Sequence, residues 1–155
     1  MKIAEKVISL SSNQVPYSMV FRDIEKDVVP YCIEHKKAVI AYSPLQRGLL
    51  TGKIKPGHVF NDGDTREGNR FYSDENIKRI NAFLDTLRPL AGDKQASLAQ
   101  LVIAWTLRQP GITLALVGAR NAGQATQNAK ASEVILSVEE LKIIDDSLRE
   151  LELVF

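Results

Sequence analysis

The chain has 155 residues, of which 45% are hydrophobic and 25% charged, and its formal net charge is +1. This is long enough for one domain with a real core, and the composition is that of a soluble globular protein rather than a disordered or fibrous one. Near-neutrality excludes a general electrostatic field for nucleic acid or for an anionic membrane.

The opening "MKIAEKVISL" is too short and too charged for a secretory signal, and no apolar run is long enough to span a bilayer. "NQVPYSMV" is a weak strand candidate, because Pro16 limits its hydrogen bonding. In "RDIEKDVVPYCIEHKK" the residues Ile24, Val28 and Cys32 share a helical face, with Pro30 forcing a kink or a late start. Arg22 and Glu25 read there as solvated or paired helix residues. Cys32, the single cysteine, cannot form an internal disulfide, which fits a cytoplasmic protein. His35 and His58 are isolated and offer no metal-ligand spacing.

"AVIAY", Ala38–Tyr42, is a strand bounded by turn signals. The segment from Gly52 to Asp74 is long, polar and glycine-rich; it is either a functional loop or a plain surface excursion. Helical stripes follow at Ile77, Ile80, Leu84 and Leu87, then at Leu98, Leu101, Val102 and Trp105. Trp105 and Cys32 therefore read as core. "ITLALV", Ile112–Val117, is the next strand. A last helix carries Val138, Leu141, Ile144, Leu148 and Leu151, opened by a capping box of Ser137 and Glu140. Strands alternating with helices, and continuous apolar strands, predict an α/β fold with a parallel sheet covered on both faces.

Two stretches after strands have the chemistry of anion sites. "SPLQRGLLTGK", Ser43–Lys53, superficially resembles a P-loop, but Gly48 and Gly52 are too close and Ile54 stands where a hydroxyl residue belongs. What remains is a strand end with permissive glycines, a hydroxyl and a lysine, which is either an anion-binding loop or a connecting turn. In "GARNAGQATQN" Gly118 permits close backbone approach, and Asn121 is a good N-cap that aims helix N–H groups out of the sheet edge. Arg120, Gln124 and Asn128 are spaced by four and lie near one line. The same Asn121 and Gln124 also make an N-x-x-Q cap that needs no ligand. Tyr42 is either a flat platform for a ring or an amphipathic rim residue. Gln14 and Tyr17 are open in the same way.

These pieces, in this order, resemble the aldo-keto reductase family. The strings that carry the resemblance are "NQVPYSMVFRDIEKDVVPYCIEHK", "VIAYSPLQRGLLTGK", "GDTREGNRFY", "SLAQLVIAWTLRQPGITLALVGARNAGQATQN" and "LSVEELKIID". They cover nearly the whole chain and are most similar to the bacterial reductase and potassium-channel β-subunit branch. The resemblance implies a (β/α)8 TIM barrel that binds NADP(H) at the C-terminal ends of its strands. By position, Gln14 would bond the nicotinamide carboxamide and Tyr42 would stack on its ring. Ser43, Leu45, Gly48, Leu50 and Lys53 would line the pyrophosphate, with the long loop and Arg66 folding over it. Gly118, Ala119 and Arg120 would take the adenosine 2′-phosphate region, and Gln124 and Asn128 the phosphate and adenine.

The match begins near the sixth barrel strand, whereas such barrels need about 250 residues. The family's catalytic Asp, Tyr, Lys and His come from earlier strands, so no residue here takes those roles, and independent carbonyl reduction is not expected. The expected architecture is the C-terminal part of the barrel, about three parallel strands with helices, incomplete as a single chain. Three such strands cannot close. Their unpaired edges predict association, either as a homo-oligomer or with a complementing half-barrel chain. The functional alternatives are the cofactor-binding part of a reductase acting on a small carbonyl substrate, and a non-catalytic NADP(H)-binding or self-associating module.

Overall fold

A computed structural model describes residues 1–155. The three strands are β1 (Ser12–Pro16), β2 (Ala38–Tyr42) and β3 (Ile112–Leu116), all parallel, in the order β1-β2-β3. Pro16 ends its strand, so its missing N–H interrupts nothing: the next residue, Tyr17, donates to the Tyr42 carbonyl at 3.1 Å.

Helix α1 (Val28–Glu34) starts late and carries Pro30 in its first turn, where no intrahelical N–H bond is required. Ile24, expected on the same helix, sits instead in a separate 3-10 turn, Asp23–Glu25, although it is still buried. Helix α2 (Asp74–Asp93) is capped by Ser73, and α3 (Leu98–Arg108) by a Ser97–Gln100 capping box. Helix α4 spans Ala122–Ala129, and α5 (Val138–Arg149) opens with the predicted Ser137–Glu140 box.

The stripes of α2 and α3 are buried throughout, and Trp105 and Cys32 are fully enclosed. In α5 only Ile144 and Leu148 are buried; Val138, expected in the stripe, stands at the first helical position and is 78% exposed. The α3–β3 connection passes so close to α1 that a Cβ on Gly111, at φ 77°, would meet Val29 at 2.8 Å.

The sheet is covered on one face, not on both. Val39 and Ala41 of β2 are fully buried among the helices. Between them, Ile40 pairs with Gln14 and Leu114, and Tyr42 with Pro16 and Leu116. These rows line the opposite face, where Leu114 is 46% and Leu116 40% exposed. A continuous apolar strand does not distinguish two layers of helix from one layer plus the interior of a barrel. The outer edges of β1 and β3 carry no partner strand.

Candidate functional site

The chain leaves β2 through a turn of unusual backbone. Ser43 has φ 56°, and Gln46, Arg47 and Gly48 follow one another at 44°, 47° and 94°. Left-handed conformation at a non-glycine residue costs about 1–3 kcal/mol and persists only where surroundings over-determine it. Here they do. Ser18 Oγ donates to Gln46 Oε1 at 3.0 Å, and the Tyr72 hydroxyl donates to the Gln46 carbonyl at 2.7 Å. Arg66 Nη1 donates to the Arg47 carbonyl at 3.2 Å, and Arg47 Nη1 to Thr65 Oγ1 at 2.9 Å. From below, Leu49 and Leu50 anchor the turn in the core.

The long loop supplies three of these partners, Thr65, Arg66 and Tyr72, and is no loose excursion. Asn81 Nδ2 holds the Ile54 carbonyl at 2.9 Å, and Asp74 accepts the Gly57 N–H at 2.7 Å. Arg66 lies 4.8 Å over the Phe60 ring, which also packs nearly perpendicular to Tyr72 at 5.6 Å and to His58 at 4.7 Å. Arg66 also pairs with Asp64 at 2.5 Å. That guanidinium holds the Asp64 carboxyl down to about 2, with a smaller contribution from the charge of Arg120. Burial pushes the Tyr72 phenol up to about 12, so it stays a hydrogen-bond donor.

The second turn follows β3 and is built differently. Asn121 caps α4 by accepting the Gln124 N–H at 2.9 Å, as expected. Gln124 does not close the box on Asn121: its Oε1 accepts from the Arg120 N–H at 2.8 Å. Asn128 Nδ2 reaches back to the Gly118 carbonyl at 3.2 Å. Both amides thus organise the turn itself. The Arg120 guanidinium makes no hydrogen bond or ion pair and is exposed. Gly118 has no atom within 4 Å of where a Cβ would stand, which leaves its backbone open to approach.

Because Tyr42 pairs with Leu116, the two turns leave the sheet side by side. Tyr42 and Gln14 share the open face behind them, both exposed and without a side-chain hydrogen bond. Arg66 stands at 4.0 Å from the Cβ position of Gly48, over the first turn, and the charge of Arg120 is felt at Asp64. Ser43 and Leu45 are half-buried in the first turn, Ala119 is exposed in the second, and Lys53 projects into solvent beyond Gly52. The Leu50 side chain is wholly buried, so only its backbone remains for the loop surface. Tyr17 is enclosed, donates to Glu25 at 2.6 Å and stacks on Trp105 at 6.1 Å, which makes it a core residue. Arg22 and Glu25 pair with each other at 2.7 Å.

Ser18, Thr65 and Tyr72 were not legible as parts of the site. Tyr72 meets Gln46 across 26 residues of sequence, and no local pattern encodes such a contact.

A strained turn and an open glycine-arginine turn stand side by side at one edge of a parallel sheet, and exposed turn backbone beside a free guanidinium is chemistry that suits an anion. A model of the aldo/keto reductase family matches residues 1–149. The chain belongs to the aldo/keto reductase family. Within it, an uncharacterized oxidoreductase of Mycobacterium tuberculosis is 38% identical over 138 residues, 89% of this chain and 42% of that protein. The NADH-specific methylglyoxal reductase of Escherichia coli is 30% identical over 139 residues, 90% of this chain and 42% of that protein. The structure of the glycerol dehydrogenase from Gluconobacter oxydans superposes with a TM-score of 0.88 at 33% identity, over 97% of this chain and 46% of that one. The chain therefore spans less than half the length of these relatives, and its sheet and helices match part of the family's TIM barrel. No helix is long and apolar enough to cross a membrane.

Proposed function

We propose that the chain is the cofactor-binding part of an NADP(H)-dependent carbonyl reductase. The observation that carries this reading is the free Arg120 guanidinium at the opening of α4, beside the left-handed turn Gln46–Gly48. An unpaired cation next to exposed turn backbone suits a nucleotide phosphate. Arg120 would hold the 2′-phosphate, with Gly118 and Ala119 giving backbone access and Gln124 and Asn128 bordering the adenine. Ser43, Leu45, Gly48 and the backbone of Leu50 would face the pyrophosphate, with Arg66 above it and Lys53 at its rim. Tyr42 and Gln14, exposed on the open sheet face, suit the nicotinamide ring and its carboxamide.

When bound, the cofactor would supply the hydride for reduction of a small carbonyl compound. This chain's own residues bind and orient it. None is assigned as the proton donor; Tyr17, the enclosed tyrosine beside β1, has its phenol pushed far above the ordinary range by burial and by its bond to Glu25. A self-associating or partner-completed form is favoured by a specific observation, the exposed Leu114 and Leu116 between two unpaired sheet edges. The occupant of those edges would be a second copy or a complementing half-barrel chain.

Calorimetric titration with NADPH and with NADH, alongside sedimentation analysis, tests both points. Binding of NADPH is expected, and Arg120→Ala should weaken it about 10- to 100-fold, the worth of a charged hydrogen bond of ~1.5–3 kcal/mol, while leaving NADH nearly unchanged. No heat with either dinucleotide at millimolar concentration removes the cofactor reading. A strictly monomeric species removes the association.

A further inference from the structure

The segment that follows α5 is hydrogen-bonded to two side chains of α2, one of them buried. Asn76, in the first turn of α2, is fully buried. Its Nδ2 donates to the Val154 carbonyl at 2.8 Å, and its Oδ1 accepts the Val154 N–H at 2.8 Å. The carboxamide thus pairs with the tail backbone as a neighbouring strand would. The same Nδ2 also donates to the Arg70 carbonyl at 2.8 Å. Arg79 Nη1 holds the Glu152 carbonyl at 3.0 Å.

So seated, the tail bears on the end of the long loop. Phe155 packs edge-on against Phe71 at 5.0 Å and lies under the Arg70 guanidinium at 4.3 Å. The next residue is Tyr72, whose hydroxyl holds the Gln46 carbonyl and whose ring packs on Phe60. A continuous run of contacts therefore leads from Val154 through Asn76 and residues 70–72 to the left-handed turn. We propose that Asn76 is a positioning residue: by clasping Val154 it seats residues 150–155 against Arg70–Tyr72 and so holds Gln46–Gly48 in its strained conformation. A turn whose backbone is intrinsically unfavourable needs partners that do not give way, and Tyr72 is a firm partner only if its own 3-10 turn is fixed. The coupling goes beyond the cofactor reading and does not depend on it.

Amide hydrogen exchange on the full chain without ligand tests it. Val154→Pro removes the N–H that Asn76 accepts, at a residue 53% exposed, and so leaves the core intact. It should speed exchange of the Tyr72, Gln46 and Gly48 amides by about tenfold or more, a local opening, while amides in α3 keep their protection. Asn76→Ala should do the same more strongly. Tyr72→Phe should release Gln46 and Gly48 while the Val154 amide stays protected, which gives the coupling its order. Faster exchange in Val154→Pro confined to residues 150–155, or spread evenly over α3 and the turn, would overturn the proposal. If Asn76→Ala fails to fold, Val154→Pro alone decides.

Discussion

The turn after β2 and the turn after β3 leave adjacent parallel strands at the same edge, yet they are held by opposite means. The first has three successive left-handed residues and is fixed from outside, by Ser18, Arg66 and Tyr72. The second has ordinary backbone and closes mainly on itself: Asn128 reaches back 10 residues to Gly118, α4 has no buried residue, and its one distant side-chain tie is Gln100 Nε2 to the Gln127 carbonyl at 3.0 Å and to Gln127 Oε1 at 3.2 Å, at the far end of α4. A strained turn requires distant partners, so its integrity is a property of the whole fold. A relaxed one is held mostly by its own amides, so it can fray with little consequence elsewhere.

The sharpest way to break this contrast is Leu50→Ala, which removes a fully buried anchor beneath the first turn. A loss of about 2–5 kcal/mol in denaturant-induced unfolding is expected, with the whole protein affected. The counterpart in the second turn is Asn121→Ala, which removes a helix cap worth about 1 kcal/mol. Here the helical chemical shifts of residues 121–129 should weaken while the thermal midpoint barely moves. A midpoint falling as far as in Leu50→Ala would show that the second turn is not autonomous.

The smallest effect is expected from acid. The Asp64 carboxyl is lowered from its ordinary 3.8 to about 2 by Arg66. A depressed folded-state value means that the pair's contribution is complete above about pH 4 and is lost as the pH falls through about 2. The pair lies near the surface, where solvent screens it, so a modest loosening is expected. Across that window, exchange of the Arg66 amide, which donates to Asp64 Oδ1 at 3.0 Å, should rise before that of Gln124, since the second turn is closed by amides that do not titrate. Equal response of both turns would contradict the distinction.

Much of this molecule was legible in the linear chain. "AVIAY" coincides with β2, and Ser137 with Glu140 opens α5 because a capping box is a contact over three residues. The stripes of α2 and α3 are buried because periodicity reports the face a helix hides. The arginine and the N-cap after β3 were legible for the same reason: a helix start is local chemistry. Ile24 was misplaced because a 3-10 turn and an α-helix share the same apolar spacing over a few residues. The single-sided sheet was missed because an apolar strand does not reveal what lies across from it.

What the amino-acid sequence by itself determined is therefore what neighbours within a few residues decide: strands, caps, helical faces, and the Gly118–Asn128 turn with its exposed arginine. Only the tertiary structure decided the turn beside it. The left-handed backbone of Gln46–Gly48 is unfavourable in isolation, and it exists because Tyr72, Ser18 and Arg66 arrive from elsewhere in the chain to hold it.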